Sequence, residues 1–111
     1  MEKEIESLSE INELIGNDAG LIVYFYSDNC APCKSLRPKV KDLLETDYPK
    51  MSLYFINSEK HAEISAEFGV YSNPTLLVFF DRKEYFRKSK YVSISELSQD
   101  IERLYSMMFE D

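Results

Sequence analysis

Only two thiols occur in the chain, Cys30 and Cys33, and both lie in the stretch Ser27-Asp28-Asn29-Cys30-Ala31-Pro32-Cys33-Lys34. Thiols at this spacing can clip a metal, staple a loop or cycle between dithiol and disulfide. Zinc takes four protein ligands at a structural site and three at a catalytic one. The single histidine, His61, stands far along the chain, so carboxylates would have to complete a set, and no metal site is expected. His61 reads as an ordinary, partly exposed helix residue. A permanent staple is a poor reading as well, because closing so small a loop removes little entropy from the unfolded chain. Two thiols at i and i+3 at the start of a helix can interconvert with little backbone movement, which is the geometry of a redox centre.

The position of Cys30 sets that chemistry. It follows an apolar strand and a short loop and opens the next helix, whose N-terminus carries about half a positive charge and spare N–H groups. Both favour thiolate over thiol, so Cys30 reads as the nucleophile. Cys33, one turn inside the helix and better buried, would attack Cys30 in the mixed disulfide and release the reduced partner. Lys34 would help Cys33 ionise, whereas Asp28 would oppose the Cys30 thiolate if its carboxylate points that way. Pro32 suits the first helical turn, where a missing N–H is harmless. No histidine lies between the cysteines, which favours a reductant over an oxidant.

The elements that must hold this pair can be read from periodicity. Ser7 and Glu10 resemble a capping box ahead of Ile11, Leu14 and Ile15, a helix expected to stop at Gly16-Asn17-Asp18. Residues 21–26, Leu-Ile-Val-Tyr-Phe-Tyr, form a strand-length apolar run suited to the middle of a sheet. Leu36, Val40, Leu43 and Leu44 repeat at helical spacing, with Pro38 expected to kink that helix. A strand at 53–56 and a short helix carrying Ile64 and Phe68 follow, the helix ending at Gly69. Strands at 75–80 and 85–87, joined by the charged turn Asp81-Arg82-Lys83-Glu84, predict an antiparallel hairpin. Ser93 and Glu96 introduce a last amphipathic helix through Ile94, Leu97, Ile101, Leu104, Tyr105 and Met108. The order α-β-α-β-α-β-β-α predicts an α/β fold with helices on both faces of a mixed sheet. Strand 75–80 should run antiparallel to strand 21–26. Its start, at Asn73-Pro74, therefore falls at the sheet edge beside the cysteines. Pro74 either opens that strand in the ordinary way or takes a cis bond, which costs an X–Pro pair only ~0.5–1 kcal/mol. Backbone exposed there could pair with an extended substrate segment.

Composition bounds the setting. A chain of 111 residues with 44% hydrophobic residues fits one domain, spanning 1–111. Twenty acidic against thirteen basic residues, a net charge of -7, argue against nucleic acid as a partner. The charged N-terminus has neither the apolar core nor the cleavage pattern of a signal peptide, and no stretch approaches the ~20 apolar residues of a membrane span. A soluble, cytoplasmic monomer is expected. In a reducing compartment a close cysteine pair is more often catalytic than structural. Arg82, Lys83, Arg87, Lys88 and Lys90 cluster locally, as lysines do on edge hairpins to discourage further pairing. Met107-Met108-Phe109 reads as the end of a helix folded onto the core.

Together these residues resemble the thioredoxin family: an apolar strand running into Cys-Ala-Pro-Cys-Lys, Pro38 five positions after Cys33, and Phe-Gly-Val followed by Asn-Pro-Thr and another apolar strand. The likeness spans roughly residues 20–110. It implies a thioredoxin fold with a central mixed sheet of four or five strands, Cys30 attacking, Cys33 resolving, and Pro74 in cis beside them. It also implies protein disulfides as substrates, a thioredoxin-reductase-type electron donor and no bound cofactor. Several positions depart from the family pattern. Tyr24 stands where the pattern has a buried aspartate that assists the second cysteine; tyrosine cannot do this near neutral pH, so resolution would be slower or pass through water. Asn29 replaces a tryptophan, Ala31 a glycine and Asn73 an isoleucine, which would alter partner choice. Tyr91 falls near a glycine that keeps the surface open, where it would cover part of the docking groove or offer a new aromatic contact. Lys3 to Ile5 would be a vestige of the family's first edge strand. A binding module or adaptor of the same fold, with idle or regulatory cysteines, is the alternative that these changes motivate.

Overall fold

The computed structural model describes residues 2–109; Met1, Glu110 and Asp111 of the expected 1–111 unit lie outside the described residues. The elements run β1 (Glu2–Glu4), α1 (Leu8–Asn17), β2 (Gly20–Tyr26), α2 (Ala31–Asp47), β3 (Ser52–Asn57), α3 (Ala62–Glu67), β4 (Thr75–Phe80), β5 (Lys83–Ser89) and α4 (Ile94–Phe109). They build a five-stranded sheet in the order β1-β3-β2-β4-β5. β1 and β2 lie parallel to β3 on either side of it, while β4 is antiparallel to β2 and β5 to β4. This is the expected mixed sheet with helices on both faces, in its five-strand form.

Three boundaries differ from the sequence reading. The predicted element order omits β1, which does form an edge strand. Its three residues, Glu-Lys-Glu, are all exposed and carry no alternation, so period alone could not reveal it. What fastens it is the next residue: Ile5 is fully buried and its N–H donates to the Phe55 carbonyl at 2.8 Å. The hairpin turn is Asp81-Arg82 alone, not the four residues expected. Both have positive φ, 51° and 68°, as a two-residue primed turn demands, so pairing resumes at Phe80–Lys83. A bulge follows, with Val78 opposite Phe86 but Phe79 opposite Glu84, which leaves Tyr85 extra and half-exposed. Finally, α1 runs through Gly16 and Asn17 and ends where the Asp18 N–H bonds the Leu14 carbonyl.

The capping residues act as their types predict. Ser7 Oγ accepts from the Glu10 N–H, and Ser93 Oγ from the Glu96 N–H. The Glu10 carboxylate reaches the Glu6 N–H, one residue upstream of a reciprocal box. Gly69 takes φ 66° just past α3, where its N–H bonds the Ala66 carbonyl and the Val70 N–H bonds that of Ser65.

Alternation along β2 divides the core. Ile22 and Tyr24 face α2 and α4, joining Leu36, Val40, Leu97 and Ile101. Leu21, Val23 and Phe25 face the other way, onto Ile11 of α1 and Ile64 of α3. The basic cluster on β5 is largely tied into the structure. Arg87 forks onto Glu84 and the carbonyls of Phe68 and Gly69, Lys88 pairs with Asp100, and Arg82 reaches the Gly16 carbonyl. At the C-terminal end Phe109 packs on Tyr105, but Met107 and Met108 remain exposed, so only part of that triplet folds inward.

Candidate active site

Three loops converge at one end of the sheet. The first leaves β2 after Tyr26, whose carbonyl accepts from the Ser58 N–H at 2.7 Å. It turns through a 3.3 Å bond from the Cys30 N–H to the Ser27 carbonyl and delivers Cys30 as the N-cap of α2. The second precedes β4: Thr75 pairs with Phe25, so Pro74 lies at the edge from which the cysteine loop departs. Asn73–Pro74 is cis, as the family resemblance implied. The third follows β5 and is latched to the second by the Lys90 N–H on the Pro74 carbonyl, 2.8 Å.

Cys30 and Cys33 are joined as a disulfide with a Cα–Cα distance of 5.2 Å. Their exposures are unequal. Cys30 is partly exposed, whereas Cys33 retains only 2% of its accessible surface. The Cys33 backbone N–H, in the first turn of α2, points at Cys30 Sγ at 3.2 Å. A cysteine at an N-cap thus receives the hydrogen bond that serine or aspartate would receive there, from a donor that stabilises negative charge. α2 continues through Pro38 without ending. Proline offers no N–H to the Lys34 carbonyl, so the helix gives up one bond just beyond the cysteines.

Beneath the pair, Tyr24 donates its hydroxyl to the Cys33 carbonyl at 2.6 Å in a buried contact. Burial pushes the Tyr24 phenol up to about 12, partly offset by the Arg37 guanidinium. It is therefore a permanent donor at neutral pH and no proton acceptor. Arg37, one turn past Cys33, lies over the Phe55 ring with its Cζ 3.6 Å from the ring centre, and also reaches Tyr26 and Glu4. Sequence reasoning anticipated Tyr24 as a departure but not its bond to Cys33. The available signal was its register: a tyrosine on the α2-facing side of a central strand must place its hydroxyl on something. Asn57, at the tip of β3, was not anticipated at all. Its Oδ1 accepts from the N–H groups of Glu59 and Lys60, and its Nδ2 donates to Asp28 at 3.3 Å.

The remaining predicted residues fall around the disulfide loop with different exposures. Asn29, Ala31 and Pro32 are exposed beside it. Pro74 is buried, and Asn73 is half-buried with its Oδ1 accepting from Ser58 Oγ at 2.9 Å. Tyr91 is 95% exposed and projects from its loop instead of covering a groove. His61 precedes α3 as its N-cap, with its ring nitrogens 3.7 Å from Glu6 and from Glu63. Among the described residues no cluster of three or more His, Cys, Asp or Glu side chains could hold a metal, and no helix is long and apolar enough to cross a membrane.

Known proteins share this fold. The family model described as Thioredoxin matches residues 4–103. The thioredoxin-like protein YdfQ of Bacillus subtilis is 28% identical over 103 residues, covering 93% of this chain and 91% of its own length. Mitochondrial thioredoxin-2 of Schizosaccharomyces pombe is 37% identical over 75 residues, 68% of this chain and 56% of that protein. Among solved structures, the thioredoxin of Plasmodium falciparum superposes with a TM-score of 0.81 at 26% identity, over 91% of this chain and 97% of its own. Since the family match runs over most of the sequence and the same fold recurs in a solved relative, the chain belongs to the thioredoxin family.

Proposed function

We propose that this chain is a thiol-disulfide oxidoreductase that reduces protein disulfides, acting as a single domain over residues 1–111. The observation that carries this reading is the 3.2 Å approach of the Cys33 N–H to Cys30 Sγ at a helix N-terminus. There a thiolate is stabilised on a sulfur that a partner can reach. In the reduced state the Cys30 thiolate attacks one sulfur of a partner disulfide. That S–S bond breaks, and the departing partner thiolate takes a proton. Cys33, as thiolate, then attacks Cys30 Sγ; the Cys30–Cys33 bond forms, the mixed disulfide breaks, and two electrons have passed to the partner. A thioredoxin-reductase-type donor returns them, and no bound cofactor is needed. Asn29, Ala31 and Pro32 shape the approach to Cys30, while Asn73, Pro74 and Tyr91 form the docking edge. The setting is a cytoplasmic monomer.

In a turbidity assay with insulin and dithiothreitol, wild type should accelerate precipitation and Cys30→Ser should fall to the uncatalysed rate. Cys33→Ser should accumulate a mixed disulfide through Cys30. A second reading, a binding module with little redox activity, draws on the exposure of Tyr91 and of Tyr71, 95% and 85%. Equal rates for wild type and Cys30→Ser would select it.

A further inference from the structure

A small cavity of about 140 Å³ reaches Cys33 and is walled by Tyr26, Ser27, Asp28, Cys33, Lys34 and Arg37. It is large enough for water and polar enough to hold it. For the reaction proposed above, Cys33 must lose a proton before it can attack, yet burial favours the neutral thiol. The groups around it are poor acceptors. The Tyr24 hydroxyl is committed to the Cys33 carbonyl, and the Tyr26 hydroxyl donates to Glu4. The side chains of Lys34 and Arg37 offer hydrogen-bond donors and no acceptor. The cavity wall contains one carboxylate, that of Asp28, which is exposed at the mouth and held by Asn57 Nδ2.

We propose that Asp28 takes up the proton of Cys33, relayed through water in this cavity, when Cys33 resolves the mixed disulfide. The inference rests on the redox reading of the cysteine pair. In the step, the Cys33 thiol proton passes by way of water to the Asp28 carboxylate and the Cys33 thiolate displaces the partner from Cys30. The departing partner thiolate then takes a proton from Asp28 or solvent, so charge and electrons balance. Lys34 and Arg37 from α2 face the same space and favour the transient Cys33 thiolate. Glu4 of β1 is not part of the wall and is bonded to Arg37 and Tyr26. Asp28 acts here as a relay and positioning residue, since it touches neither reacting sulfur.

Reduced protein mixed with Ellman's disulfide separates the two ideas, because each cysteine releases one coloured thiolate in turn. The first release reports Cys30 attack and the second reports resolution by Cys33. Asp28→Asn should leave the first as fast or faster, since a negative charge near Cys30 is removed. It should slow the second at least about tenfold, as loss of a general base does, and change its pH profile. Asp28→Glu should restore much of both. An unchanged second release in Asp28→Asn would overturn the relay while leaving the functional reading intact. A uniform slowing with an unaltered pH profile, or no rescue by glutamate, would reduce Asp28 to a structural prop and equally overturn it. A wild-type protein with no fast first release, or one unaffected by Cys30→Ser, would instead overturn the functional reading itself.

Discussion

At the scale of single residues, the two most buried phenols behave alike although they serve different ends. Tyr24 holds the Cys33 carbonyl, and Tyr54 donates to the Asp18 carboxylate from the far side of the sheet. Burial pushes both up to about 12 from an ordinary 10, and for Tyr54 the bond to Asp18 adds to the effect. Below pH 10 folded and unfolded chains both keep these protons. Between the ordinary and the raised values, only the folded chain holds them, so stability should fall as pH rises through about 10 to 12. A spectrophotometric titration should show Tyr24 and Tyr54 ionising last, together with unfolding, and Tyr24→Phe should remove part of the fall. Ionisation of all tyrosines in one step, with the fold intact, would contradict this.

Elements are held by different forces than their surface charges imply. β1 is ringed by ion pairs, Glu4 with Arg37 and Glu2 with Lys41, both at 3.4 Å. Exposed pairs of this kind contribute about 0–1 kcal/mol each. Ile5, fully buried, should matter more: truncating a core isoleucine typically costs about 2–5 kcal/mol. Urea unfolding should therefore show Ile5→Ala strongly destabilised and Glu4→Gln nearly unchanged; the reverse order would mean that charge fastens this strand. The same contrast explains why periodicity concealed β1, which only the family resemblance pointed to at Lys3 to Ile5. Its only apolar contribution sits one residue beyond its end, whereas β2 and β4 are buried along nearly their whole length and announce themselves by composition. The hairpin was misread for a related reason. Asp81 and Arg82 are ordinary residues held at positive φ, a conformation for which glycine or asparagine would have been the warning.

For the whole molecule, the layered core and the disulfide are nearly independent. Among the described residues, twenty-eight buried hydrophobic residues, including Cys33, are packed on the two faces of the sheet. The disulfide closes a loop spanning only residues 30–33. A loop of that size contributes about 2 kcal/mol by its entropy. Reduction should accordingly lower the urea midpoint modestly and leave the fold, followed by far-ultraviolet circular dichroism, intact. Unfolding on reduction would show the bond to be structural after all. What was legible at this scale was the ground plan, because Cys30, Cys33 and Pro74 lie at strand ends that alternation and right-handed crossovers bring to one sheet edge. What was not legible were contacts that depend on side-chain direction, such as Asn57 reaching Asp28 or Arg37 lying on Phe55.

The bond from Tyr24 to the Cys33 carbonyl gives the pair a built-in asymmetry. The inner cysteine is moored by its backbone to the floor of the sheet, while the outer one rides on a turn held by a backbone bond and by Asn57 on Asp28. Under the function proposed above, handing electrons over becomes a swing by one arm: Cys30 would go out to meet a client and come back to a Cys33 that has stayed in its berth.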